Sequence, residues 1–246
     1  CPAWIQEAHT VIVNNWYWHG LISYENRVQW YQADCHINAT TSTCSNMYVG
    51  MYENLGPYDG DNLFMDFCTG NATLQFLDEV PNCYNLNIMQ DWYLNRPEVR
   101  EAIYAKPPPD TKWTDCNDTV SENYVQLGLD MLNFYNKFFD EADWNILVYN
   151  GDIDISTVPH AYTQLCLSAL NRPVVQEWAR WTVPGPIIPS VNGPQPQSNI
   201  TAGYQEIYDT YSFATVRGAG HEVPTFQPLF AYNMFERFIF NKSKLQ

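Results

Sequence analysis

Positive charge is scarce in this chain. Its 246 residues carry 12 Lys+Arg against 27 Asp+Glu, a formal net charge of −15. Such a surface repels phosphate backbones and anionic headgroups, which argues against nucleic acid as a partner and against charge-driven docking on a membrane. Long apolar runs are missing as well: none approaches the roughly 20 residues of a membrane-spanning helix. No signal peptide is present and the chain opens on Cys1 instead of Met, so it reads as a processed product or a portion of a longer protein. There is no internal repeat and no low-complexity tract. No Cys-x-x-Cys occurs, and no His stands at ligand spacing from a cysteine pair, so no zinc site is expected and no metal or organic cofactor is implied. Also absent is any Gly-x-Ser-x-Gly, the sharp turn that exposes a nucleophilic serine.

What is present bounds the fold. Hydrophobic residues make up 46% of the chain, enough to bury the core of one large domain or two small ones. The pI near 4.5 fits an acidic compartment, a trait shared by many cytosolic proteins. Seven cysteines stand at positions 1, 35, 44, 68, 83, 116 and 166, and an odd number leaves at least one free or paired outside this chain. Asn-x-Ser/Thr sequons occur at Asn38, Asn71, Asn117, Asn199 and Asn241. Five sequons beside close cysteine pairs argue for the secretory pathway.

Along the chain, residues 5–20 read as a helix with Ile12 and Trp16 on its apolar face and Gly20 as its stop signal. A second helix is expected around residues 47–52. Asn95-Arg96-Pro97-Glu98 opens another through Ile103, with Asn able to cap it and Pro and Glu suited to its first turn. Thr119-x-x-Glu122 is a capping-box pattern ahead of one long helix to about residue 139. Residues 146–149 are a short apolar run that fits a buried parallel strand. Thr157 and Pro159 begin the next helix, with Tyr162, Leu165, Cys166 and Ala169 on its inner face. Residues 183–202, rich in Pro, Gly and Asn, read as a long loop. A strand at 213–216 and a closing helix over 229–240 complete the pattern. That order is half of an open α/β sheet, which leaves an edge to be covered from elsewhere.

Two short segments carry the chemistry. Gly151-Asp152-Ile153-Asp154 follows the first strand, and Gly218-Ala219-Gly220-His221-Glu222 follows the second. An acid and then a histidine, each just past a strand, is the order of the last two members of an α/β-hydrolase triad, Ser…Asp…His. His221 is the candidate general base, in a glycine-flanked turn that lets the ring project. Asp154 or Asp152 is the candidate acid that orients it.

Several segments in order resemble the serine carboxypeptidase family, which includes lysosomal cathepsin A and the secreted carboxypeptidases of plants and yeast. They are His19-Gly20-Leu21-Ile22-Ser23, Tyr93-Leu94-Asn95-Arg96-Pro97-Glu98-Val99, Trp113 with Cys116-Asn117, residues 148–154 and residues 216–224. The match spans essentially this whole chain but only the C-terminal half or so of a complete family member. The resemblance implies the C-terminal part of an α/β-hydrolase fold with a helical cap insertion, residues 1–118 forming the cap and 119–246 the core. It places the triad acid at Asp154, the second Asp of Gly-Asp-x-Asp, and leaves Asp152 as a turn residue bonding local backbone. Glu222 stands where family members have an acid or a Met. There it could favour cationic side chains or bond another carboxyl at low pH, or it could be a surface residue that touches nothing. The resemblance pairs Cys35 with Cys44 and Cys68 with Cys83, sends Cys116 to a separate chain or missing residues, and leaves Cys166 as a buried free thiol. The implied reaction removes C-terminal residues from a peptide through an acyl-enzyme. The serine and oxyanion hole would come from an N-terminal half or a separate chain, joined through Cys116, in a lysosomal, vacuolar or secreted setting. A second copy of the chain is compatible as a further partner. Relatives that act as acyltransferases or hydroxynitrile lyases, or a non-catalytic glycoprotein that kept the scaffold, are the rival readings.

Overall fold

A computed structural model of the chain describes residues 4–56, 58–67, 83–84, 86–105, 111–114, 116–125, 131–141, 144–185 and 199–241. The elements in chain order are α1 (Trp4–Trp18), α2 (Tyr24–Gln32), α3 (Ser42–Asn54), β1 (Asp66–Phe67), β2 (Cys83–Tyr84), α4 (Leu86–Leu94), α5 (Pro97–Ala102), α6 (Asp118–Asn123), α7 (Met131–Glu141), β3 (Leu147–Gly151), α8 (His160–Ser168), β4 (Val174–Pro184), β5 (Asn199–Tyr208), β6 (Ser212–Val216), α9 (Val223–Phe226) and α10 (Pro228–Asn241). Contacts divide the chain into two units, residues 1–64 with 130–246, and residues 65–129.

The larger unit is built on a four-stranded sheet of order β3-β6-β5-β4. β3 and β6 run parallel, while β6–β5 and β5–β4 are antiparallel. β6 is buried on both faces, as its apolar sequence requires. Ala214 and Val216 pack with Trp181, Val183, Ala202 and Met234 on one side. Phe213 packs on the other with Leu167, Leu170 and Tyr211, against Leu132 and Phe139 of α7. The parallel register sets Gly151 beside Val216, so the turns that follow β3 and β6 leave the sheet side by side. In open α/β sheets that carboxyl end is where sites form.

Helices α1 to α3 make a second core in the same unit. Val13, Trp16, Trp30, Cys35, Ala39, Cys44 and Met51 are buried together, and Ile155, from the turn after β3, is buried among them. α1 stops as expected: Gly20 takes φ +76° and the Leu21 amide returns to the Trp16 carbonyl at 2.8 Å. Ser23 and Asn26 form a capping box at the start of α2, and Thr41 caps α3. The Cys35–Cys44 disulfide is present. The expected partner of Cys83, Cys68, lies outside the described residues.

In the smaller unit, β1 and β2 form a two-residue parallel pair. α5 begins at Pro97 as expected, but Arg96 sits at the N-cap, where it makes no side-chain cap bond and pairs with Glu98 instead. Asn95 is otherwise engaged. Its Oδ1 accepts from the Trp113 amide at 2.8 Å and from Arg100, and its Nδ2 donates to the Asp91 and Trp113 carbonyls.

Other expectations are corrected. The single helix over 119–139 is two, because Tyr124 turns to extended backbone (ψ 120°) and ends α6. Asn117, not Thr119, caps that helix by accepting from the Val120 amide. Residues 183–202 are not one loop: the ends of β4 and β5 lie within them and pair antiparallel. The resulting sheet is mixed. α8 buries Tyr162 and Leu167 while Leu165 is exposed. Cys166 is half-buried on that helix and disulfide-bonded, not a free thiol.

Candidate active site

The turns after β3 and β6 are laced together backbone to backbone. The Asp152 amide donates to the Val216 carbonyl at 3.1 Å and the Ile153 amide to the Ala219 carbonyl at 3.0 Å. The fit is tight enough that a Cβ on Gly151 would sit 2.1 Å from the Ala219 oxygen. Asp152 adds a side-chain tie: its Oδ1 accepts from the Gly218 amide at 2.7 Å. That bond reaches 66 positions along the chain, where a purely local turn bond was expected. Burial pushes the Asp152 carboxyl above its ordinary value, with the Gly218 bond opposing.

Asp154 is 1% exposed. A buried carboxylate is tolerated only when its oxygens are bonded, and these are. Oδ1 accepts from the amides of Thr157 at 3.0 Å and Val158 at 3.1 Å; Oδ2 accepts from Val158 at 3.0 Å. Oδ2 also lies 2.9 Å from His221 Nδ1. Burial raises the Asp154 carboxyl above its ordinary value, and the bonds from His221, Val158 and Thr157 oppose that rise. An ionised carboxylate only accepts, so Nδ1 carries the proton and Nε2 presents its lone pair. The His221 side chain is 39% exposed, and its Nε2 bonds nothing among the described residues. The chemistry open to this pair is general acid–base transfer at Nε2, with the carboxylate holding the tautomer and stabilising the imidazolium.

A third segment, residues 58–64, holds both turns, and sequence reasoning did not connect it to the site. The His221 amide donates to the Asp61 carbonyl at 2.7 Å, and the Leu63 amide to the Ile153 carbonyl at 3.3 Å. Thr157 donates its hydroxyl to Asp61 Oδ1. Buried Asp59 shapes this loop by accepting from the Asp61 amide at 2.8 Å and the Asn62 amide at 3.2 Å. Burial raises the Asp59 carboxyl; the Glu222 charge contributes to the rise, which makes Glu222 an electrostatic neighbour of Asp59. Glu222 itself is exposed, at the N-cap position of α9 without a side-chain cap bond. The Asp-Gly-Asp-Asn run at 59–62 signals a turn, but nothing in it names the partner of that turn.

Elsewhere, Cys116 is exposed and free. Asn38, Asn117 and Asn199 are exposed; Asn241 ends α10, and Asn71 lies outside the described residues. No group of three or more His, Cys, Asp and Glu among the described residues could hold a metal ion. No helix among them is long and apolar enough to cross a membrane.

The sequence profile described as serine carboxypeptidase matches residues 3–241. The chain belongs to the serine carboxypeptidase family. Relatives within it include serine carboxypeptidase 24 of Arabidopsis thaliana, 36% identical over 151 residues, 61% of this chain and 29% of that protein. Serine carboxypeptidase-like 29 of the same plant is 28% identical over 211 residues, 81% of this chain and 41% of that protein. A solved prohormone-processing carboxypeptidase from Saccharomyces cerevisiae matches in fold with a TM-score of 0.62 at 14% identity, over 96% of this chain and 52% of that one. That likeness supports the α/β-hydrolase expectation at the level of fold: a mixed sheet with helices on both faces. The chain spans well under two thirds of the length of each relative.

Proposed function

We propose that this chain supplies the acid and the base of a serine carboxypeptidase active site, with the nucleophilic serine on another segment. The observation that carries the reading is the 2.9 Å contact of His221 Nδ1 with a fully buried Asp154, between residues 67 positions apart in the turns that follow two neighbouring parallel strands. In the reaction, His221 Nε2 takes the serine hydroxyl proton as the oxygen attacks the scissile carbonyl. The same proton passes to the leaving amine as the tetrahedral intermediate collapses to an acyl-enzyme. Water, activated by the same nitrogen, then releases the acid and restores the serine. Asp154 stays ionised and keeps the ring in the productive tautomer. Glu222, beside the base, is placed to favour cationic residues of the peptide.

In this reading residues 1–118 are the helical cap and 119–246 the C-terminal part of the core, a boundary of family lineage and not of compactness. The serine-bearing segment adds its strands to the free edge of β3, which has one strand neighbour among the described residues. Beside that edge, Leu147, Tyr149, Pro224, Tyr232, Phe235 and Phe238 are among the residues lining a cavity of about 510 Å³. Apolar side chains gathered along an unpaired strand favour coverage by more sheet. Cys116 bonds that segment. The sequons carry glycans, and the protein works in an acidic lysosomal, vacuolar or extracellular compartment.

The test is labelling with a fluorophosphonate that reacts with active serines, followed by electrophoresis with and without reductant. A labelled partner that separates from this chain only on reduction supports the two-chain form, and label on a longer band containing this chain supports a single chain. Folded protein that takes no label overturns the reading.

A further inference from the structure

We propose that Asp61 is a positioning residue for this active site, its carbonyl and carboxylate tying the His221 turn to the Asp154 turn through Thr157. The proposal rests on the catalytic reading above and adds a residue to it. Four hydrogen bonds close a circuit. The His221 amide donates to the Asp61 carbonyl at 2.7 Å. The Thr157 hydroxyl donates to Asp61 Oδ1. The Thr157 amide donates to Asp154 Oδ1 at 3.0 Å. Asp154 Oδ2 then meets His221 Nδ1 at 2.9 Å. Three chain segments, separated by about a hundred and by about sixty positions, are thus joined through one ring of contacts.

Each link has a distinct consequence. The amides of Thr157 and Val158 fix the plane of the Asp154 carboxylate, and so the direction in which Oδ2 points. The Asp61 carboxylate holds the Thr157 hydroxyl and with it the pitch of that amide. The Asp61 carbonyl holds the backbone from which the imidazole projects. Removing one link leaves both catalytic side chains present and their turns still laced through Asp152 and Ile153, but less closely held relative to each other, and small misplacements of reacting groups cost rate. Asp61 touches no reacting atom, so it is not a catalytic residue. A merely structural turn residue would change stability and leave turnover alone. The loop is already set by Asp59, which accepts from the Asp61 and Asn62 amides. Loss of the Asp61 side chain therefore leaves the turn in place and cuts only the tie.

The experiment uses the full-length protein with Asp61→Ala, Thr157→Val, the double variant, and the conservative Asp61→Asn and Thr157→Ser. Turnover is read on an N-blocked dipeptide, beside melting curves and the proton resonance of the hydrogen-bonded His221 Nδ1–H. Asp61→Ala and Thr157→Val are each expected to lower kcat about tenfold, with KM changed less than about twofold. The double variant is expected to lose no more than either single one, because both cut the same tie. Asp61→Asn and Thr157→Ser keep an acceptor and a hydroxyl and recover most of the loss. Unchanged kcat in both deletions, losses that multiply, or a Thr157→Ser as impaired as Thr157→Val would each overturn the proposal. Should the wild-type protein prove inactive on peptides, the catalytic reading fails and the tie is decided by the resonance alone. Broadening or a shift in both deletions upholds it, and an unchanged signal overturns it.

Discussion

Gly220→Ala measures how closely the base turn is seated on its support. A Cβ built on Gly220 lies 2.0 Å from the Asp61 carbonyl oxygen, 2.7 Å from Asn62 Cβ and 3.0 Å from Asn62 Cα. All three neighbours belong to a loop held by Asp59 and by the Leu63–Ile153 bond, so none is a flexible side-chain tip. Ordinary contact begins at 3.4 Å, so the carbonyl must retreat by about 1.4 Å. The same oxygen accepts the His221 amide at 2.7 Å, and a hydrogen bond does not survive a displacement of that size. Overpacking costs about 1–3 kcal/mol and the lost bond about 1 kcal/mol, so about 2–4 kcal/mol of stability is expected to go. A shift of about 1 Å in the histidine costs on the order of a hundredfold in kcat/KM. Gly50→Ala in α3 is the control. Its Cβ meets nothing within 4 Å, and alanine in a helix interior gains about 0.5–1 kcal/mol. Urea titrations and turnover on the full-length variants test both. A Gly220→Ala protein within about 0.5 kcal/mol of wild type, with unchanged kcat/KM, would refute the reasoning.

Three further outcomes follow from the same contacts. Asp154→Asn should lower kcat by about 10⁴ with little change in KM, since the amide presents the wrong tautomer partner to Nδ1; a loss under tenfold would exclude Asp154 as the orienting acid. Asp152→Asn keeps an Oδ1 acceptor for Gly218 and removes a buried charge. Because burial raises the native Asp152 pKa, wild-type stability falls as pH rises from the ordinary carboxylate value of about 4 through that raised value, then levels. The urea midpoint of Asp152→Asn relative to wild type should therefore climb with pH across that window, and a flat or falling difference contradicts it. Replacing Cys35 and Cys44 by Ser opens a loop with a sequence separation of 9 and should cost about 2–3 kcal/mol; a melting temperature equal to wild type contradicts that value.

The two catalytic candidates could be read from sequence because the information is local. β3 and β6 are short runs, and each leads directly into its turn, so an acid or histidine just past the run is placed by the strand itself. β6 is buried, whereas β3, expected to be a buried strand, is an edge strand among the described residues, with Leu147 and Val148 half-buried and Tyr149 exposed. The same locality explains what was missed. β4 is an edge strand whose residues alternate weakly between exposed and buried, and its register slips at three places. Such irregularities erase the period of two that marks a strand. Its end also enters the Pro- and Gly-rich stretch that reads as loop. The long helix over 119–139 was suggested by periodic apolar residues, yet Tyr124 takes extended backbone, and nothing in the pattern marks that break.

The Asp61 loop is a different case. Its turn chemistry is plain in Asp59-Gly60-Asp61-Asn62, but its role depends on what it touches, and those contacts lie about a hundred positions away at Thr157 and further still at His221. No local signal encodes a pairing of that kind; only the folded unit brings the segments together. The consequence reaches the chemistry. A buried aspartate and a half-exposed histidine form a serviceable pair only when their turns are held in one frame. Direct bonds lace the turns to each other, and the segment 58–64 ties the Thr157 and His221 ends of that frame together. Substitutions in residues 59–62 should thus alter turnover although none of these residues stands next to Asp154 or His221 in sequence, and a search for catalytic determinants confined to the motifs would pass over them.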